Sequence, residues 1–476
     1  MKKLLIIIFV LSYATLNAQT FEWGKVFTGK VVETAYSITS DNNGNVYFTG
    51  GFTSGKLNFE NVSLTNAGME YASEDVFVAK MNSTGNIEWA ISGGGADKEQ
   101  GKKIGVDKNG NVYVTGEYKG DIVFGDKKIS SASKGSPDIF LLKLDKDGKI
   151  LWLKSYGGKQ SDEVGDMSVD PDGNIYLTGH FGKVATFGGY EYKAFSEING
   201  DAFIVKLDEG GEVKWLKQIG GKGRGGQNSL QFGNTISVSK SKYIYAGGWF
   251  LGHVRFTDTV ITSYDFDNNN RRKSIYIVKY DSEGNRYWIK EHANKNVNNS
   301  SDGKITAMDT DYSGNIIAGG YFPGAILNGT NVINSFEVPN SYNEDIWITK
   351  YDSLGNNLWF NTFGNKGADR LTSIKVAQND NVFLTGNTSG IYDFGAVKIN
   401  TGFNNFFFVK MNSGGIPLSG VYATGMGSDG VGIALQQPGK AVLLGNYLGN
   451  IFKFESVNVT GQGAAQSIFL LGFDVN

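Results

Sequence analysis

Apolar residues in this chain fall into two alternating patterns. Short runs such as GNVYVTG close on a glycine, whereas runs such as DIFLLKL are apolar at nearly every position. A strand with one wet face would alternate, so the second pattern predicts strands buried on both faces. The first pattern reads DNNGNVYFTG at 41–50, DKNGNVYVTG at 107–116 and DPDGNIYLTG at 170–179. Looser copies are SKSKYIYAGG at 239–248, DYSGNIIAGG at 311–320, AQNDNVFLTG at 377–386 and QQPGKAVLLG at 436–445. The closing glycines are 59 to 72 residues apart.

The second pattern follows each copy of the first. It reads DVFVAKMNSTGNIEW at 75–89, DIFLLKLDKDGKILW at 138–152, DAFIVKLDEGGEVKW at 201–215, SIYIVKYDSEGNRYW at 274–288 and DIWITKYDSLGNNLW at 345–359. NFFFVKMNSGGIPLS at 405–419 has Ser419 where the others have tryptophan, and SIFLLGFD at 467–474 stops short. Each unit therefore predicts four strands: a before the first Asp, b closing on glycine, c wholly apolar, d carrying the tryptophan. DxxG segments join a to b and c to d as hairpin turns, with glycine where φ must be positive.

The seventh unit has no strand d, and a spare d-like segment, FEWGKVF at 21–27, precedes the first. Pairing the two closes a ring. The predicted fold is all-β: a single seven-bladed β-propeller of four-stranded blades over residues 19–476, closed by the N-terminal strand on the last blade. Trp23, Trp89, Trp152, Trp215, Trp288 and Trp359 become one structural set filling the gaps between blades, with sugar stacking as the competing role. Strands alternate in direction. The short a–b and c–d turns thus share one face, and the longer b–c and d–a connections share the other. The b–c excursions (GHVRF at 252–256, GIYDF at 390–394, GNIFKF at 449–454) are read as extra hairpins, each packed against its own blade.

Composition adds limits. Lys2 and Lys3, the largely apolar stretch Leu4 to Leu16 and Ala18 before Gln19 have the form of a signal peptide at 1–18. A retained anchor is the competing reading. The protein is expected to be secreted or held in the cell envelope, monomeric, with no membrane span in its mature form. With no cysteine there is no disulfide, thiolate metal site or cysteine nucleophile. The net charge of −2, with both signs interspersed, offers no basic stripe for nucleic acid.

Candidate chemistry is sparse, and no catalytic residue is assigned. The position after strand b varies between units: Gly51, Glu117, His180, Trp249, Tyr321, Asn387, Asn446. Glu117, His180, Trp249 and Tyr321 are the candidate ligand-binding residues, against plain solvent exposure. Acids recur before strand a: Glu33, Glu99, Asp162, Asp302, Asp369 and Asp429. A ring of carboxylates at the channel mouth suits a hard cation such as calcium; the competing reading is that each caps backbone amides. Otherwise no cofactor or metal is expected. DKDGK at 145–149 and DTDYSG at 309–314 read as hairpin turns, since position twelve from Asp309 is Gly320, not the Glu a calcium loop needs. The three histidines lack zinc-site spacing. GGKGRGG at 220–226 lacks the GK[ST] ending of a phosphate loop.

The paired phrases D-x-x-G-N-V-Y-x-T-G and D-x-F-V-A-K-L-D-x-x-G-x-x-x-W closely resemble the bacterial β-propeller repeat family known as SBBP. The resemblance spans nearly all of 21–476 and weakens around 377–419 and 429–476. It implies a secreted or surface propeller and carries over no catalytic residue. KLDKDGKILW at 143–152 is also similar to the tryptophan-docking repeat of quinoprotein dehydrogenases and of the outer-membrane assembly propeller. Those have eight blades, and the quinoproteins often add a vicinal disulfide that this chain cannot make. The expected function is a non-enzymatic module that binds or scaffolds through the long-loop face, with a polysaccharide or an envelope protein as partner. The alternatives are a secreted polysaccharide-acting enzyme with a carboxylate and His180 near the channel mouth, and a purely structural envelope protein.

Overall fold

A strand apolar on both faces persists only between two others, and every strand c has that position. In the computed structural model of the chain the described residues are 19–68, 73–196, 198–221, 229–256, 259–263, 272–294, 303–335, 344–395, 397–400, 404–423, 427–436, 439–449, 451–454, 457–460 and 466–476. Among them there is no helix. Blade 1 consists of Glu33–Ser40, Val46–Phe52, Asp75–Met81 and Ile87–Gly93, paired antiparallel in the order a, b, c, d. Its strand c is buried at every residue, as is Asp138–Leu144 in blade 2. The same order recurs around the ring. In blade 7 strands a to c are Ser428–Gln436, Lys440–Leu448 and Gln466–Asp474, and Thr20–Phe27 pairs antiparallel with the last of these. The predicted seven-bladed fold and its closure are both present.

The core is divided into seven apolar clusters, one per junction between blades. The closing junction shows the composition: Phe27, Phe48, Phe59 and Phe77 pack against Val442, Leu444, Ile468 and Leu470. The glycine that ends strand b follows from the same crowding. A Cβ on Gly50, Gly116, Gly179, Gly248, Gly320, Gly386 or Gly445 would overlap a carbonyl oxygen of strand a in its own blade. That oxygen is brought close by a one-residue bulge, which puts Tyr36, Lys102, Gly165, Asn234, Thr306, Thr372 and Val431 at equivalent places. The sequence reading contained no bulge, because these seven residues share no chemistry.

The tryptophans are packing residues. Trp89 Nε1 donates to Lys146 O at 3.2 Å, in the c–d turn of the next blade, and its ring lies 2.9 Å from where Gly148 would carry a Cβ. Trp215, Trp288 and Trp359 donate in the same way to Ser282, Ser353 and Ser413. Blade 7 takes strands c and d from opposite ends of the sequence, so no c–d turn joins them. A tryptophan in blade 6 would meet the equivalent carbonyl, Val475 O, which Lys410 already reaches at 2.7 Å, but no turn glycine of the kind that lies under the other rings, and Ser419 stands there instead.

All seven b–c excursions form hairpins, including four that the sequence motif did not mark, such as Val184–Phe187 with Tyr190–Lys193. They do not pack on their own blade alone. Thr186 and Ala185 of blade 3 pair with Gly157 and Gly158 of blade 2, and Phe256 and Arg255 of blade 4 pair with Ile219 and Gly220 of blade 3. The hairpins thus sit at the outer rim, cover part of each exposed edge strand and link neighbouring blades.

Candidate functional site: the channel mouth on the long-loop face

Antiparallel pairing puts the residue after strand b opposite the start of strand a. Around the ring these pairs are Thr34 with Gly51, Gln100 with Glu117, Glu163 with His180, Phe232 with Trp249, Lys304 with Tyr321, Arg370 with Asn387 and Asp429 with Asn446. Several residues after strand b reach the next blade. His180 lies parallel to Phe232, ring centroids 6.1 Å apart, with Nε2 2.6 Å from Asn199 O. Tyr321 carries the Arg370 guanidinium over its ring at 5.2 Å. Asn387 Nδ2 donates to Asp429 Oδ1 at 2.7 Å. Asn446 exchanges two hydrogen bonds with the Ala35 backbone, at 2.9 and 3.0 Å. Glu117 lies 3.9 Å from Lys102 Nζ, and burial pushes its carboxyl above the usual range. Trp249 instead receives Lys273 of its own blade, the ammonium 4.3 Å from the ring centroid.

One sector of this ring opens into a pocket of about 410 Å³, lined by Tyr36, Lys103, Tyr321, Arg370, Asn387 and Asp429 among others. It continues into the channel, a cavity of about 240 Å³ walled by the seven strands a. Of the four residues singled out from sequence, Tyr321 lines the pocket; Glu117, His180 and Trp249 stand elsewhere on the ring. Arg370 and Tyr36 were missed as ligand contacts because they lie on strand a, and Asp429 was read from sequence only as one of the acids that could ring the mouth and hold a cation. The usable signal was the a–b pairing, which sets each opposite or beside a residue of the variable position.

The Arg370 side chain is half exposed, and its Nε pairs with the Glu344 carboxylate. Among the described residues its terminal nitrogens have no partner. Deeper in the channel Lys103 Nζ meets Asp166 Oδ1 at 3.1 Å. Asp309 accepts from Val376 N at 2.9 Å, and burial raises its pKa.

The acids before strand a mostly cap backbone. Glu33, Glu99, Asp162 and Asp369 are fully buried. They accept from Gly29 N at 2.9 Å, Gly95 N at 2.9 Å, Gly158 N at 2.6 Å and Asn365 N at 3.0 Å, amides of their own d–a loops. Asp302 lies outside the described residues, and Asp429 alone of the set lines the mouth pocket. Burial is the main cause that pushes Glu99 up to about 8 and Asp162 and Asp369 up to about 7. Asp75, Asp138 and Asp345, from the preceding blades, add like charge. The segment at 309–314 forms the turn read from sequence: Asp311 Oδ1 accepts from Ser313 N and Asn315 N at 3.0 and 2.8 Å. Among the described residues no three His, Asp or Glu side chains converge as metal ligands.

Comparison with known proteins agrees on the class. Residues 91–117, spanning the end of blade 1 and the first hairpin of blade 2, match the SBBP beta-propeller repeat. The chain is a seven-bladed β-propeller carrying that repeat. It is 23% identical over 465 residues to a WD repeat-containing protein of Acanthamoeba polyphaga mimivirus, covering 85% of this chain and 32% of that one. It is 22% identical over 183 residues to the regulatory protein FlaEY of Caulobacter vibrioides, covering 37% and 19%. The chain thus spans a third or less of these relatives' lengths. Solved structures with some likeness include a polysaccharide lyase, an ulvan lyase, at TM-score 0.44 and 11% identity, covering 93% of this chain and 97% of that one. The β-propeller domain of the Trilobed protease from Pyrococcus furiosus scores 0.41 at 9% identity, covering 93% and 94%. Neither likeness bears on activity.

Proposed function

We propose that this protein is an exported, non-catalytic propeller that binds a glycan or protein ligand at its channel mouth on the long-loop face. The observation that carries the reading is the pocket itself. Blades 1, 2, 5, 6 and 7 each contribute a polar side chain to one open concavity, and Asp429 is the only carboxylate among its lining residues. The enzyme reading asks for paired acids, or an acid with His180, at one place. Instead four of the acids before strand a are engaged as caps, and His180 is held by Asn199 and Phe232 outside the pocket. Export rests on the charged and apolar character of residues 2–16. No helix among the described residues is long and apolar enough to cross a membrane.

The test is a thermal-shift and calorimetric screen of the purified protein against bacterial and plant polysaccharides and envelope proteins. A ligand at a hundred times its Kd adds about 2.7 kcal/mol of stability. A saturable shift with one ligand, lost in Tyr321→Ala, supports the reading. New chain ends released from a polysaccharide would replace it with the enzyme. Periplasmic or extracellular recovery of the tagged chain tests export; cytoplasmic retention would overturn that part.

A further inference from the structure

We infer that the channel mouth selects a carboxylated sugar, a uronic acid unit of a polysaccharide, with Arg370 as the carboxylate-binding residue. The inference rests on the binding reading above and names the ligand class for that site. Three observations lead to it. First, the Arg370 guanidinium is fixed: Nε is tied to Glu344 and its face to the Tyr321 ring. What is left among the described residues is a pair of terminal N–H groups on a half-exposed side chain lining the pocket. A planar fork of that kind matches a planar carboxylate with two parallel hydrogen bonds. Second, Lys103 lines both the pocket and the channel. It places a second cation near the mouth, ion-paired with Asp166 at 3.1 Å.

Third, the rest of the polar lining is neutral except for Asp429, whose charge also acts on Arg370. Tyr321 and Asn387 share the lining with this one anion, which accepts from Asn387, while Thr306, Thr372 and Asn446 donate to backbone carbonyls and keep hydroxyl or amide oxygens on the wall. Sugar hydroxyls both donate and accept, so they suit such a wall, and Asp429 can receive them as donors. A dianionic phosphate would face Asp429 at full charge, and a peptide has few hydroxyls for the remaining lining. The volume of about 410 Å³ lies in the range of small-ligand pockets.

The experiment titrates the protein with an oligogalacturonate and with the same oligomer after carboxyl reduction. The acidic oligomer is expected to bind at least tenfold more tightly. Arg370→Gln should remove that preference, and Arg370→Lys, which keeps the charge without the fork, should restore only part of it. Unchanged melting of Arg370→Lys shows that folding is not the cause. Equal binding of both oligomers, abolished by Tyr321→Ala, would overturn the acid preference and leave the mouth as a binding site. Binding of neither oligomer, or binding indifferent to both Tyr321→Ala and Arg370→Gln, would overturn the selection and remove glycans from the binding reading. Tighter Arg370-dependent binding of a polyglutamate peptide would replace sugar with an acidic peptide.

Discussion

The blade junctions predict an unusual pH dependence. Glu99 is fully buried between blades 1 and 2. One carboxyl oxygen takes the Gly95 amide at 2.9 Å, and Oε1 has no hydrogen-bond partner among the described residues. Asp75 faces it from strand c of the preceding blade, also with an unpaired oxygen, and Asp97 and Glu74 add negative charge. The nearby cation, Lys98, is 3.2 Å from Glu74. Glu99 therefore keeps its proton up to about 8, and Asp162 and Asp369 keep theirs up to about 7. A carboxyl raised in the folded state binds more protons folded than unfolded, so its contribution is whole at low pH and is lost as pH rises through the folded value. His292, buried against Tyr351 and Trp347 and lowered to about 4, acts in the opposite sense, but only below its unfolded value near 6.5. Between pH 6.5 and 9 the carboxyls decide. At about 1.4 kcal/mol per pH unit, Glu99 loses roughly 2 kcal/mol over that interval and the two aspartates roughly 1 each. Urea unfolding followed by tryptophan fluorescence should show the protein less stable at pH 9 than at pH 6.5 by about 4 kcal/mol. Glu99→Gln, which keeps the shape without the titration, should show about half that drop. Equal stability at the two pH values, or a full drop in Glu99→Gln, would refute the reasoning.

Four other changes test the architecture by melting temperature or urea midpoint. Deleting residues 19–29 removes Thr20–Phe27 and the buried Phe27; about 5 kcal/mol or more should be lost, and an unchanged melting point would rule out closure. Trp89→Ala should cost about 2–4 kcal/mol, the lower part of the range for a large ring because the side chain is only half-buried; a near-neutral result would mean the ring is not docked. Gly116→Ala drives a Cβ into Gln100 O and should cost about 3 kcal/mol, so full tolerance would show that strand a is not bulged there. Ser419→Trp should give no stabilisation, and a gain above about 1 kcal/mol would mean a tryptophan finds a dock in blade 7 after all.

The blade count, the burial of strand c, the turns and the closing strand were legible because each rests on local chemistry that repeats. The bulge was not, since its occupants range from Gly165 to Tyr36 and what holds it is a backbone contact with the closing glycine. The hairpins were legible as hairpins, but their pairing to the preceding blade joins residues such as Gly157 and Thr186 that carry no shared signal. The acids were legible by position, whereas their direction depends on which loop amides lie free. The mouth pocket was the least visible, because Tyr36, Lys103, Tyr321, Arg370 and Asp429 come from five blades.

Departures from the repeat have two causes here, and the geometry separates them. Ser419 departs where blade 7 keeps the acceptor carbonyl, Val475 O, but has no c–d turn glycine to lie under a tryptophan ring, so architecture accounts for it. Arg370, Asn387, Asp429 and Asn446 also sit in the blades where the repeat is weakest, but architecture does not demand them. The same cross-strand positions are filled by Gln100 with Glu117 and by Glu163 with His180, and those blades close as tightly, on Gly116 and Gly179. Blades 6 and 7 thus needed no guanidinium, and no amide paired to a carboxylate, in order to pack. Where packing leaves the choice of residue open and the choices gather at one open pocket, the proposed ligand contact supplies a constraint that packing does not.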